Sequence, residues 1–295
     1  MTEARGPEAA LLLVLCRVLG RVLGRDIAID DYSPLSGGIG ERTYRVTAGG
    51  QRYVVRLAQT VRGKVLDLDA ETDLMRIVAA AGLAPAVAGA DAEAGALVTH
   101  YLAEAKPWTA EMSRTPRNIG RAAALLRKLH ELQPPVRPFE PVSFARAYLG
   151  EARDRTRFDA GDERLARELL DLATDYERSF DNEVLCHNDL VAANILDTGE
   201  LALVDFEYAV CAAPVLDLAS LAAMNGFDAR RRRALVDAYY PAGRAPFSDD
   251  EFGSVARMVR LLSYFWALAQ DDGERKRYGA FAERRALERA PPYRD

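Results

Sequence analysis

Apolar positions along the chain fall into two regimes. In the first hundred residues a helical stripe at Leu12, Leu15, Leu19 and Val22 predicts a helix over 8–23. Two alternating runs follow, Thr43 to Val46 and Tyr53 to Leu57, and the Ala48-Gly49-Gly50 turn between them predicts paired strands. A second helical stripe (Ala70, Leu74, Ile77, Val78, Ala81) predicts a helix from about Asp67 to Ala81 with Glu71 at its border. Ala96 to Leu102 reads as an apolar strand running into a polar region. Beyond it the pattern is mostly helical: from Thr115-Pro116 to His130, at about 142–153 and 162–180, and from Val259 to Gln270. The exception is a pair of short strands, Ile195–Asp197 and Leu201–Val204, around Gly199-Glu200.

That hairpin carries the chemistry. A Gly-first pair suits a two-residue type II′ loop, which sets Thr198 opposite Leu201 and therefore Asn194 opposite Asp205. Opposed side chains stand about 5 Å apart at Cβ, so an amide oxygen and a carboxylate would reach one cation, and oxygen ligands of this kind suit Mg²⁺. Asp189 precedes Asn194 by five residues, on a segment too polar for a strand, where a carboxylate can take a proton from a substrate hydroxyl. The spacing is that of phosphoryl transfer from a nucleotide, in which positioning and electrostatics carry the rate. Glu207, two positions beyond Asp205 on what reads as extended chain, is a further candidate Mg²⁺ ligand. Ser36-Gly37-Gly38-Ile39-Gly40, just before the paired strands, is a candidate phosphate loop in which Gly37, Gly38 and Gly40 expose backbone N–H groups to ATP; a plain hairpin turn has the same composition.

His187-Asn188-Asp189 through Asn194, with Asp205-Phe206-Glu207-Tyr208, resembles the catalytic segment of the choline/ethanolamine kinase family, within the wider aminoglycoside phosphotransferase and protein-kinase-like group. The resemblance is specific over 185–209 and covers the rest by element order. It implies an α+β, protein-kinase-like bilobal fold: a small amino-terminal lobe with an antiparallel sheet and helices, and a larger, mainly helical lobe. We place the first at 1–101 and the second at 102–295.

The same resemblance implies roles for other residues. Arg56 stands where protein kinases carry a phosphate-gripping lysine, and Glu71 is its candidate partner, although a solvated helix Glu explains the spacing equally. The backbone of His100 and Leu102 would receive the adenine. His187 would brace the catalytic loop, Asp217 would do so from the next helix, and His130 falls at a family Leu-His position. The helix at 259–270 is similar to a choline kinase segment with two tryptophans three apart, of which Trp266 matches and Ala269 replaces the second. Tyr208 or Tyr264 would supply the missing aromatic face for an ammonium group; the alternative is a core aromatic stripe.

Composition changes the picture only by exclusion. A formal charge of −5 and a pI near 5.5 argue against nucleic-acid partners. Three scattered cysteines lack metal-ligand spacing, and Arg17 and Arg21 interrupt the first apolar run, so a cytoplasmic protein with no membrane span is expected. The leading expectation is an ATP- and Mg²⁺-dependent kinase acting on the hydroxyl of a small amino alcohol, choline or ethanolamine. The alternatives are an aminoglycoside-type O-phosphotransferase and, from another class, a catalytically inactive nucleotide-binding regulator.

Overall fold

The computed structural model describes residues 7–35, 42–57, 67–270, 273, 275–276 and 279–289. The chain divides into two compact units, with the boundary between Ala105 and Lys106.

The first unit is an antiparallel sheet with two helices. Its strands are β1 (Ile29–Pro34), β2 (Arg42–Ala48), β3 (Gln51–Leu57), β4 (Val87–Asp91) and β5 (Ala96–His100), ordered β1-β2-β3-β5-β4. β2 and β3 join through Gly49 and Gly50, both at positive φ (57° and 74°), the conformation a tight two-residue hairpin requires. Helix α1 (Pro7–Leu23) packs on β4 and β5, and Leu15, Val18 and Leu19 enter a core with Val46, Val55 and Val98. Leu12 is exposed, so the buried stripe begins one turn later than its spacing predicts.

Helix α2 (Leu68–Ala80) is capped by Asp67, whose carboxylate accepts the Ala70 N–H at 2.8 Å. Its buried face is Glu71, Thr72, Leu74, Met75 and Val78, while Ala70, Ile77 and Ala81 face water. The predicted stripe is thus rotated by about one position, and Glu71 lies on the buried face. An ion pair with Arg56 of β3 makes that burial tolerable.

The second unit is largely helical. Short β6 (Lys106–Pro107) leads through α3 (Ala110–Ser113) to α4 (Pro116–His130), which opens with the Thr115 cap and Pro116. Helices α5 (Pro141–Arg155) and α6 (Ala160–Ser179) follow, then β7 (Val184–Cys186), β8 (Ile195–Asp197), β9 (Leu201–Leu203) and β10 (Val210–Ala212). Helices α7 (Val215–Met224), α8 (Ala229–Tyr239), α9 (Asp249–Ala269) and α10 (Ala280–Arg289) complete it. The strands form two small sheets, β6-β8-β9 and β7-β10, and α9 packs against α5, α6, α7 and α10. The fold is α+β and protein-kinase-like, as the resemblance implies.

Candidate active site

The two predicted strands form, with a different turn between them. Ile195 pairs with Leu203, Leu196 with Ala202 and Asp197 with Leu201, leaving a three-residue loop, Thr198 to Glu200, with Gly199 at φ 100°. The register is one residue off the predicted one, so Asn194 opposes Val204, whose N–H it receives at 3.1 Å, and not Asp205. The cause is tertiary. Arg121 of α4 grips Asp197 through two bonds (2.5 and 2.8 Å) and the Gly199 carbonyl through a third (2.8 Å). Asp197 also accepts the Trp108 indole N–H (3.1 Å) and the Gly199 N–H (3.0 Å), an Asx-type turn that uses up an extra residue.

Asp205 leaves the ladder in the left-handed region, at φ 72°. After it Phe206 to Ala209 turn, with the Ala209 N–H on the Phe206 carbonyl (3.0 Å). Glu207 therefore sits in a turn, which removes the extended-chain reason for aiming it like Asp205; it is nonetheless buried.

The loop from His187 to Asn194 has an accounting of its backbone that is nearly complete. Asp217, at the start of α7, accepts the N–H of His187 and of Asn188, each at 2.8 Å. Ser220 Oγ accepts the Leu190 N–H (3.3 Å), and Asn225 Oδ1 accepts the Ala192 N–H (2.8 Å). Asn188 reaches the Tyr208 carbonyl, tying the loop to the Asp205 segment.

His187 is fully buried, and its two ring nitrogens have opposite duties. Nε2 lies 2.9 Å from the Val204 carbonyl and must donate; Nδ1 receives the Asp189 N–H at 3.3 Å and must accept. The ring is thus spent on holding the loop against the residue before Asp205. Behind it, His130 donates to Asp217 at 3.1 Å and lies 2.7 Å from the Tyr239 hydroxyl. Cys186 completes a buried group with these two, but burial pushes its thiol up and the carboxylate oxygens of Asp217 are already engaged, so the group reads as scaffold.

Asn194 donates to the carbonyl and to the carboxylate of Asp189, both at 2.9 Å. Burial raises the pKa of Asp189, while the Asn194 bond holds it back. Around it stand two tyrosines whose hydroxyls are pushed up, first by burial. Tyr148 of α5 senses Asp189, Glu151 and Glu207; Tyr208 senses Tyr148, Glu207, Asp189 and Asp205. The Tyr208 hydroxyl is buried and has no hydrogen-bond partner among the described residues. Asp189 and Glu207 thus both act on the two tyrosines, and Asp205 acts on Tyr208. Tyr148, Glu151, Ser220 and Asn225 were not singled out in the sequence, because nothing local distinguishes them from ordinary helix residues.

In the first unit Arg56 and Glu71 meet in an ion pair whose side chains are 12% and 3% exposed. His100 ends β5 with an exposed side chain, and Leu102 begins a turn closed by the Ala105 N–H. Gly37, Gly38 and Gly40 lie outside the described residues. On α9, Trp266 is half-buried and Ala269 buried. Tyr264 does not belong with the substrate candidates: it is 2% exposed, donates to Asp162 at 2.7 Å and packs edge-on against Phe265. Two residues apart on a helix, positions 264 and 266 point roughly 160° away from each other.

A model of the phosphotransferase enzyme family (APH) matches residues 31–249. No curated protein matches the chain. Among solved structures, a choline/ethanolamine kinase family protein from Mesorhizobium loti is 26% identical, with a TM-score of 0.71 over 89% of this chain and 90% of that one. The choline kinase LicA of Streptococcus pneumoniae, also solved with AMP, is 19% identical with a TM-score of 0.75 over 91% and 96%. The macrolide 2′-phosphotransferase MphH of Brachybacterium faecium is 18% identical with a TM-score of 0.64 over 96% and 99%. A family match spanning most of the chain agrees with a braced loop that presents one carboxylate beside an amide: this chain belongs to the phosphotransferase enzyme family and is a small-molecule kinase.

Proposed function

We propose that this kinase moves the γ-phosphoryl group of ATP, with Mg²⁺, to the hydroxyl of a small amino alcohol of the choline or ethanolamine class. The observation that carries the reading is the Asp189 carboxylate held by the Asn194 amide at 2.9 Å, on a loop that Asn188 ties at 3.2 Å to the Tyr208 carbonyl of the segment bearing Asp205 and Glu207. A cationic acceptor would gain from carboxylate charge there, with Tyr208 and Trp266 as candidate aromatic walls. The choline/ethanolamine kinase family structure from Mesorhizobium loti supports the acceptor class, and the AMP complex of the pneumococcal choline kinase supports nucleotide use.

The donor set fits Mg²⁺. Asn194 spends its Nδ2 hydrogens on Asp189, which leaves Oδ1, and Asp205 and Glu207 add carboxylates, so every candidate ligand is a hard oxygen. When bound, Mg²⁺ would neutralise charge on the phosphate oxygens during transfer. Asp189 takes the proton of the acceptor hydroxyl as its oxygen bonds to the γ-phosphorus and the bridge to ADP breaks. The Asn194 amide holds that carboxylate in place. Arg56, anchored by Glu71, would grip nucleotide phosphates, and the backbone of His100 and Leu102 and the glycines at 37, 38 and 40 would complete the nucleotide site.

Consumption of ATP over choline, ethanolamine, other amino alcohols, aminoglycosides and a macrolide tests the reading. Turnover of small amino alcohols is expected; turnover confined to the antibiotics would replace it. Asp189→Asn should lower kcat by roughly 10³-fold, within the range for a lost general base, and undiminished turnover would remove Asp189 from that role. Because the folded pKa of Asp189 is raised, the native state keeps a proton that the unfolded chain has released. Its contribution to stability therefore falls as pH rises from the ordinary carboxylate range through the raised value. Asp189→Asn should be more stable than the parent at neutral pH, as a thermal melt would show.

A further inference from the structure

Asn225, at the carboxyl end of α7, is 2% exposed and takes no part in any motif of the catalytic segment. Its amide makes three bonds. Nδ2 donates to the Leu190 carbonyl (2.8 Å) and to the Leu221 carbonyl (2.7 Å), and Oδ1 accepts the Ala192 N–H (2.8 Å). It therefore holds the loop on both sides of Val191 while fastening itself to the last turn of its own helix. The Ser220 hydroxyl, one turn earlier on α7, accepts the Leu190 N–H.

The consequences run directly to the reacting carboxylate. Ala192 begins the short 3₁₀ turn Ala192–Asn194, and Asn194 at its end donates to both the carbonyl and the carboxylate of Asp189. A shift of the chain at 190–192 would rotate that turn and carry the Asn194 amide with it. Asparagine is suited to this place because one short planar group offers two donors and an acceptor; aspartate lacks the donors and leucine lacks everything. Asp217 fixes the loop at 187–188, ahead of Asp189. Asn225 fixes it behind.

We propose that Asn225, with Ser220, is a positioning residue of the phosphoryl-transfer reaction, which sets the Asp189–Asn194 pair by clamping the chain at Leu190 and Ala192. This rests on the reading of Asp189 as base, so Asp189→Asn runs alongside as reference. It predicts a defect in kcat rather than in binding, since neither residue is asked to touch nucleotide or acceptor.

The test measures MgATP turnover with choline and with ethanolamine for the full chain, in the parent, Asn225→Leu, Asn225→Asp, Ser220→Ala and Leu126→Ala. Leu126, buried in α4, reports what general destabilisation alone does. Asn225→Leu should lose on the order of 100-fold in kcat, the scale expected for a misplacement of about 1 Å, with KM for ATP within about threefold of the parent. Ser220→Ala, which removes one acceptor and no volume that matters, should lose about threefold to tenfold in kcat. Asn225→Asp should recover activity as pH falls and its carboxyl takes up a proton, becoming donor and acceptor again, so its pH profile leans to the acid side of the parent's. Should Asn225→Leu fail to fold, Ser220→Ala and the pH profile of Asn225→Asp decide.

The proposal is overturned if kcat in these variants matches that of Leu126→Ala at equal loss of Tm, or if KM rises while kcat stays. A fully active Asp189→Asn would instead strike at the base assignment. Loss of activity in Asp189→Asn with full activity in the Asn225 and Ser220 variants would strike at the clamp alone.

Discussion

Each unit of the molecule holds an arginine–carboxylate pair, buried in the first and half-buried in the second, and the two are finished differently. In the second unit Asp197 takes the Arg121 fork, the Trp108 indole N–H and the Gly199 N–H, so both its oxygens are filled. Those donors, Arg121 foremost, hold its carboxyl well below the usual range. In the first unit Glu71, only 3% exposed, meets Arg56 through one oxygen, and its Oε1 has no hydrogen-bond partner among the described residues. A buried acceptor left without a donor costs about 1–3 kcal/mol. The Asp197 pair has both carboxylate oxygens filled, whereas the Glu71 pair keeps one acceptor without a donor among the described residues, so the two should answer differently to substitution.

The largest expected effect that sharpens this contrast is on activity. Arg56→Ala and Glu71→Gln should each lower kcat/KM for ATP by about 100-fold, roughly 3 kcal/mol of transition-state stabilisation, while Tm moves little for Glu71→Gln. A large fall in Tm with kcat/KM preserved would make both pairs structural and erase the distinction.

Arg121→Leu should do the opposite, costing about 2 kcal/mol of stability in a denaturant titration, between the values for exposed and for fully buried pairs, with kcat per folded molecule nearly unchanged. Acid should find the same pair. Because the folded pKa of Asp197 is depressed, its stabilisation is fully present above the unfolded value of about 3.9 and is lost as pH falls below that. Asp197→Asn should therefore flatten the acid limb of stability, and an unchanged limb would show that other carboxylates control it.

The smallest effect separates two aromatic residues of α9. Tyr264→Phe removes the bond to Asp162 and should cost about 1 kcal/mol with no change in acceptor KM. Trp266→Ala should raise acceptor KM severalfold with little change for ATP, and a purely thermal defect would place Trp266 in the core beside Tyr264.

The candidate site was legible in the sequence to different depths. Asp189 and Asn194 were readable as chain neighbours because only five residues separate them, but the bond of that amide to that carboxylate was not, since Asn194 was aimed at Asp205 and the loop between them is held from α7. Arg56 and Glu71 were readable as a pair, yet the helix stripe put Glu71 at a border, since apolar periodicity is blind to a charge buried by a partner 15 residues away. The hairpin register was misjudged because a Gly-first turn was weighed without Arg121, 76 residues earlier in the chain. Tyr264 was misjudged because an aromatic run does not say which side of its helix meets water.

By itself, the sequence determined the paired strands around Gly49-Gly50, the main helices and the short hairpin after Asn194, all of which follow from spacings within a few residues. Tertiary structure alone decided the one-residue shift at Asp197, the burial of Glu71 and the clamp of Asp217, Ser220 and Asn225 on the loop. Such features depend on hydrogen bonds between groups about 15 to 80 residues apart, whose geometry is set only once helices have packed and water has left.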